Sequence, residues 1–419
     1  MFAVRPSASP RRPSYRFTIM TIAMCTAILR TADGIDVAAA PVAAGEGDEV
    51  LVWFGTYTKG ATPASEGIYV SRMKLKTGEL SAPSVAGEAV NPSFLALHPT
   101  RPVLYAVAEI GGAESKPGGG IRSFDVNASN GRLTAIDEQS SGGAGPCHVS
   151  VDPSGRCVLA ANYGGGSTIC LRVGAKGGLE PVVDGVPGGF LQHDRTSRTG
   201  EGIDPNRQEA PHAHCSRPSP DGRFVLVPDL GLDRVFIHAV NPIAGTLGPY
   251  ASIELTAGSG PRHVAFDPSG ERAYVINELA LTVTGMDWDA TRGELKAFQT
   301  ISTLPADVTD RRGFSTAEVV VHPSGGFLYG SNRGHDSIAM YSIDRESGRL
   351  TFLGAESIRG KVPRNFAIDP TGRWLLAAGQ DSGTVTVFAI DPSNGRLRFT
   401  DRSISVPRPV CILFGKTGG

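Results

Sequence analysis

The stretch from Gly260 to Gly270, GPRHVAFDPSG, holds two prolines with six residues between them, spanning an alternating apolar run, and the same pattern returns five more times. The other copies are NPSFLALHPT from Asn91, GPCHVSVDPSG from Gly145, AHCSRPSPDG from Ala213, TAEVVVHPSGG from Thr316 and VPRNFAIDPTG from Val362. Ala213 and Thr316 replace the first proline in their copies, and a glycine follows the second proline in all but the first. The second prolines, Pro99, Pro153, Pro220, Pro268, Pro323 and Pro370, are spaced 54, 67, 48, 55 and 47 residues apart. Strand-rich periods of this size belong to propellers or solenoids. Within the copy at Gly260, HVAFD alternates, AYVIN follows the Pro-Ser-Gly turn, LTVTGMDWD alternates again and RGELKAFQTI closes the unit, which is four short strands. One such antiparallel sheet per repeat is a propeller blade.

The chain ends complete the count. VLVWFGTYTKG and GIYVSRMKLKTGEL supply the later strands of a unit that lacks its first strand, while VPRPVCILF near the C-terminus is a first strand with nothing after it. Joined, they make a seventh blade, so the expected fold is all-β: a seven-bladed β-propeller of four-stranded antiparallel blades, closed by pairing the C-terminal strand with the N-terminal blade. Closure also removes the exposed edges that invite aggregation. The 53 glycines and 30 prolines leave no room for long helical stripes.

Residues 46–419 are read as this one propeller domain. Residues 1–45 are read as a leader: Arg11, Arg12 and Arg16 precede the apolar FTIMTIAMCTAIL, and the small residues of VAAAPVAAG follow, the layout of a secretory signal. The apolar run is short for a membrane span, so export to the periplasm or outside is expected, with a cytoplasmic location as the alternative and no other membrane role. A net charge of −1 carries no footprint for nucleic acid. Six cysteines, Cys25, Cys147, Cys157, Cys170, Cys215 and Cys411, include no zinc-type spacing, and Cys157 and Cys170 are read as buried small hydrophobes.

The repeat serves as a ruler. Six residues before each second proline stand Ser93, Cys147, His214, Arg262, Ala317 and Arg364, with Arg408 as the counterpart in the split blade. Ten residues after stand Glu109, Tyr163, Leu230, Glu278, Arg333 and Gln380. Antiparallel pairing puts the start of strand one and the end of strand two on one rim. These columns vary while the scaffold repeats, as a binding mouth requires. Its excess of guanidinium points to a small anionic ligand, carboxylate or phosphate. His98 and His322 share the column of Asp152, Asp267 and Asp369 and are read as turn-stabilising. His148 and His263, one position beyond the rim column, could point into blade packing or touch ligand, and Asn162, Asn277 and Asn332, one position before the second column, could cap strand-end turns or touch ligand.

The 67-residue period contains a long insertion ending in RQEAPHAH and leading into VLVPDLGLDRV. With GPRHVAF, YVINE and SNRGHDSI, these motifs resemble, over roughly residues 50–414, the seven-bladed propeller lactonases that include bacterial 6-phosphogluconolactonase and fungal carboxymuconate cyclase. The resemblance implies functional roles for His214, Arg262, Glu278 and Arg333, all of which lie in the two rim columns. It implies no metal and no cofactor. A lactone hydrolase needs a base for water, an acid for the departing alkoxide and a cation near the oxyanion. His214 and Glu278 are expected as the proton-transfer pair and Arg262 and Arg333 as oxyanion stabilisers. His212, Arg364, Glu109, His148, His263, Asn277 and Asn332 are expected around the substrate. The expected activity is therefore that of a carboxylic-ester hydrolase opening a sugar-acid lactone to the free acid. The alternatives are a lactonising cyclase, which needs the same parts, and a non-catalytic binding propeller. A monomer or weak homo-oligomer is expected.

Overall fold

The computed structural model describes residues 49–59, 64–111, 118–181, 189–194 and 200–415. The expected leader at residues 1–45 lies outside them. The described strands form seven antiparallel sheets, one per blade, and in six of them the strand order runs in sequence. The copy that begins at Gly260 gives Pro261–Phe266, Arg272–Asn277, Thr282–Asp289 and Glu294–Ser302, the four strands its pattern predicts. The closing blade is ordered Pro409–Phe414, Glu49–Thr56, Gly67–Lys74, with an outer strand in two pieces, Glu79–Leu80 and Ser84–Glu88. Val52 pairs with Phe414 and Phe54 with Ile412, so the two ends of the chain meet in register.

Burial explains why each strand sits where it does. Second strands such as Val103–Ala108 and Cys157–Asn162 are buried along their whole length and read as continuous apolar runs. Outer strands such as Leu133–Ser140 face solvent and are mostly polar. The core lies between blades: one cluster joins Leu51, Trp53 and Ile68 of the closing blade to Leu95, Leu104 and Phe124 of the next. Another joins Tyr274 and Ile276 to Leu328 and Tyr341 of their neighbour.

Two recurring hydrogen bonds stitch one blade to the next. A second-strand aromatic reaches a positive-φ glycine in the outer hairpin of the following blade: Trp53 Nε1 donates to Gly131 O, and Tyr105, Tyr274 and Tyr329 donate to Gly177, Gly348 and Gly395 O, all at 2.8 Å. His98 and His322 accept backbone N–H groups of their own turns through Nδ1 and reach the carbonyls of Gly155 and Gly372 in the next blade through Nε2. Asp152 and Asp369 take the same turn role with carboxylates. The expectation that this column is structural is met. Cys147, Cys157, Cys170, Cys215 and Cys411 are buried and unbridged.

Ending the chain after Ser405 should leave Glu49–Thr56 as an unpaired buried edge. The expected outcome is aggregation on size exclusion and loss of the single cooperative thermal transition; an unchanged melting temperature would show that the closing pair is dispensable.

Candidate active site

The rim column exists because of a β-bulge. Pro261 pairs with Asn277 and His263 with Ile276, so Arg262 is the extra residue between them. Pro363 and Asn365 flank Arg364 in the same way, and Pro146 and His148 flank Cys147. A bulge breaks the two-faced alternation and re-aims one side chain. Here it turns that residue out of the blade packing. The second column is pinned opposite by backbone bonds. Glu109, Tyr163, Leu230, Glu278 and Gln380 donate their N–H groups to Asn91, Gly145, His212, Gly260 and Val362, the residues preceding the first-proline position. Four of these acceptors have positive φ, and Val362 holds its φ of 60 with a β-branched side chain that disfavours it.

Glu278 is the centre of the mouth. Arg207 Nη2 donates to its Oε1 at 2.6 Å, and Arg262 Nε and Arg333 Nη2 each lie 3.0 Å from Oε2. Those two guanidiniums are aligned on backbone carbonyls instead, Arg262 on Ala317 O at 2.6 Å and Arg333 on Thr316 O at 2.7 Å. Burial pushes the Glu278 carboxyl up, yet the charges of Arg333, Arg262 and Arg207 outweigh burial and hold its pKa down to about 2. Burial, with the repulsion of Arg364 and Arg333, lowers Arg262 to about 10.

His214 stands beside this cluster. Burial, followed by the charges of Arg262, His263 and Arg364, holds its imidazole well below the usual histidine range, so it is neutral at pH 7. Its Nδ1 lies 3.6 Å from Cys147 Sγ, a thiol that burial pushes up and keeps protonated. Tyr163 packs edge-on against His214 at 5.3 Å and stacks on His212 at 4.3 Å. His212 is held by Tyr163 O at 3.0 Å and Glu209 at 3.1 Å.

The far side of the mouth falls at the seam of the ring. Tyr57, just past the strand Glu49–Thr56, lies under the guanidiniums of Arg364 and Arg408 at 5.4 and 5.8 Å. Its hydroxyl donates to Glu109, which also receives Ser93 Oγ. The side chain of Arg364 makes no hydrogen bond among the described residues; it lies over the Tyr57 ring, within electrostatic reach of Glu109 and Glu278.

The geometry thus brings together His214, Arg262, Glu278, Arg333, Arg364, Glu109 and His212, and revises four expectations. Asn277 and Asn332 are buried in their blades, their amides donating to Thr282 and Thr284 and to Thr303 O and Ser337. They cap strand ends. His148 and His263 form the floor below the mouth, where His263 binds Glu318 at 2.9 Å, Glu318 accepts from Asn365 at 2.6 Å, and His148 contacts Cys215 and Ser216. Beneath this floor a cavity of about 590 Å³ is lined by Leu97, Val151, Phe266 and Leu413 and holds none of the arginines that meet Glu278. Arg207, Arg262 and Arg333 surround the Glu278 carboxylate, and among the described residues no hydrogen bond joins it to the His214 imidazole. Cys147, Tyr57, Tyr163 and Arg207 are site residues that the sequence reading left without a role. Cys147 and Tyr163 stand in the two columns, whereas Arg207 sits in the insertion where the ruler has no marks.

The family description "Lactonase, 7-bladed beta-propeller" matches residues 51–414. A 6-phosphogluconolactonase of Bacillus subtilis is 35% identical over 362 residues, covering 86% of this chain and 97% of that protein. Another 6-phosphogluconolactonase, from Formosa agariphila, is 33% identical and covers 72% of this chain and 82% of its own. The solved structure of a periplasmic gluconolactonase from Pseudomonas aeruginosa superposes with a TM-score of 0.79 at 31% identity, covering 88% of this chain and all of that one.

The depressed pKa of Glu278 has a consequence for stability. A carboxyl held at about 2 against an ordinary value of 4.5 stabilises the fold fully above about pH 4.5, and that contribution, on the order of 3 kcal/mol, is lost as pH falls toward 2. Chemical denaturation across this range should show the loss in the native protein and a weaker acid dependence in Glu278→Gln. The variant should already be destabilised by about 3–5 kcal/mol at pH 7, because buried guanidiniums lose their counter-charge. An unchanged stability in the variant would remove Glu278 from the centre of the cluster.

Proposed function

This chain belongs to the lactonase family of seven-bladed β-propellers and is a lactone hydrolase, and we propose that it opens a sugar-acid lactone at this mouth with His214 as the proton carrier. The observation that carries the reading is a buried imidazole beside Arg262 and Arg364, held neutral first by burial and then by the neighbouring positive charges. In this reading His214 takes a proton from a water molecule as its oxygen attacks the lactone carbonyl carbon. The tetrahedral adduct places negative charge on the former carbonyl oxygen, and Arg364, which engages no carboxylate hydrogen bond, receives it. Collapse breaks the ring carbon–oxygen bond, and the imidazolium returns its proton to the departing alkoxide. The product is the open hydroxy acid, and one water has been added across the ester bond.

The same cations make the imidazolium short-lived, since a positive His214 is repelled by Arg262 and Arg364. That repulsion favours delivery of the proton to the leaving oxygen. Glu278, three times compensated and ionised, is a poor proton acceptor near neutral pH. Its role here is to hold Arg262 and Arg333 in place and to keep the mouth from carrying an intolerable positive charge. Cys147 stays a thiol against Nδ1 and helps orient the ring, leaving Nε2 for the reacting proton.

The relatives' names point to six-carbon aldonolactones, phosphorylated or not, as the substrate class. The leader at residues 1–45 is read as an export signal, in keeping with the periplasmic relative. N-terminal sequencing of the protein recovered outside the cytoplasm should begin beyond the apolar run; an intact Met1 terminus on cytoplasmic protein would overturn this.

Hydrolysis of glucono-1,5-lactone and its 6-phosphate, followed by acid release, tests the activity; no turnover of either would refute the substrate class. His214→Ala should lower kcat by about 10²–10⁴-fold, with a much smaller effect on KM. Because removing a nearby cation favours the imidazolium, Arg364→Gln should move the acid limb of the kcat profile to higher pH, toward the ordinary value of 6.5. A limb that does not move, or full turnover in the His214 variant, would assign the proton to another group.

A further inference from the structure

Three guanidiniums meet Glu278, and they are not equivalent. The side chains of Arg262 and Arg333 are 2% and 16% exposed and are fixed by the carbonyls of Ala317 and Thr316. The side chain of Arg207 is 36% exposed, and beyond Glu278 it reaches only the Tyr163 hydroxyl, at 3.2 Å. Its backbone, by contrast, is anchored. Arg207 N and Gln208 N both donate to Asp204 O, Asn206 N donates to the Asp204 carboxylate, and the buried Gln208 amide accepts from Asp204 N and donates to Leu230 O. Gly231 lets the same loop approach closely, because a Cβ there would sit 1.7 Å from Ala210 O. A pinned turn therefore presents one long, half-exposed cation across the top of the mouth.

Charge balance says what that cation is for. With Arg207 counted, one carboxylate faces three guanidiniums, and Arg364 adds a fourth positive group nearby. If Arg207 swings off Oε1, Arg262 and Arg333 still compensate Glu278, so the exchange leaves no buried charge uncovered. The same swing opens the space beside Tyr163 and offers a planar fork of donors suited to an oxyanion.

We infer that Arg207 is the specificity-determining residue of the mouth: it trades Glu278 for the anionic substituent of a phosphorylated lactone and so selects phosphate-bearing substrates over neutral ones. This rests on the lactone-hydrolase reading for its kinetic arm but not for its binding arm. Arg207 touches the far end of the substrate, whereas His214 and Arg364 face the carbonyl. Its contribution therefore falls mainly on binding of the phosphorylated lactone.

The test compares wild type, Arg207→Gln and Arg207→Lys in two measurements. In the first, kcat/KM is determined for glucono-1,5-lactone and for its 6-phosphate. The ratio favouring the phosphorylated lactone should fall by about tenfold or more in Arg207→Gln, through KM, with partial recovery in Arg207→Lys, which keeps charge but loses the fork. An equal fall on both lactones would make Arg207 a structural or general catalytic residue and overturn the inference. In the second, calorimetry with inorganic phosphate should show binding to wild type that weakens by about tenfold in Arg207→Gln. Absence of phosphate binding to wild type, or equal binding to the variant, would overturn it. If wild type binds phosphate through Arg207 and yet turns over neither lactone, the anion site stands and the hydrolase reading falls.

Discussion

The pairing of Val52 with Phe414 across the ends of the chain is the constraint on which the rest of the molecule depends. Six blades could be stacked in an open arc, but an arc leaves two edges with unpaired backbone groups and two inter-blade faces uncovered. Closing the circle buries both faces at once, since the cluster around Leu51 and Trp53 packs on one neighbour and that around Val52 and Phe54 on the other. It also sets the width of the mouth. The rim residues come from different blades, and their mutual distances are defined only when the ring is complete.

On that frame a single buried carboxylate organises the electrostatics. Glu278 has two oxygens for three guanidiniums, and burial, reinforced by the surplus positive charge, makes Arg262 easier to deprotonate and His214 harder to protonate than they would be in water. Buried charge of this kind is costly unless compensated. The compensation here is deliberately incomplete, short by about the charge that an anionic ligand or a tetrahedral oxyanion would bring. In the proposed reading the mouth is thus preorganised for the charged species of the reaction, at some expense in the stability of the empty protein.

The blade count, the seam and much of the mouth were legible in the chain because they follow a period. A proline forbids a ladder hydrogen bond, and in three blades the bulge that follows it turns one residue out of the packing, so a ruler drawn from proline spacing lands on Arg262, Arg364 and Cys147. The same ruler misjudged positions one step away. His148 and His263 point down into the floor, and Asn277 and Asn332 turn into their own blades, because direction flips from one residue to the next along a strand. Arg207 was invisible for a different reason. It comes from an insertion outside the repeat, and nothing in its local sequence says that the turn at Asp204 folds back over a carboxylate 71 residues further along the chain.

The placement of Tyr57 between Arg364 and Arg408 bears on how the protein comes into being. Tyr57 emerges among the first residues of the ring during translation, whereas Arg364 and Arg408 follow only after nearly every blade has been made. Domains tend to fold as synthesis proceeds, yet this part of the mouth cannot assemble until the final strand has left the ribosome. A nascent chain, or one released early by a premature stop codon, would carry His214 and Glu278 and still lack the aromatic–arginine stack beside them. In the proposed mechanism, where Arg364 receives the oxyanion, turnover is thereby tied to completion of the polypeptide.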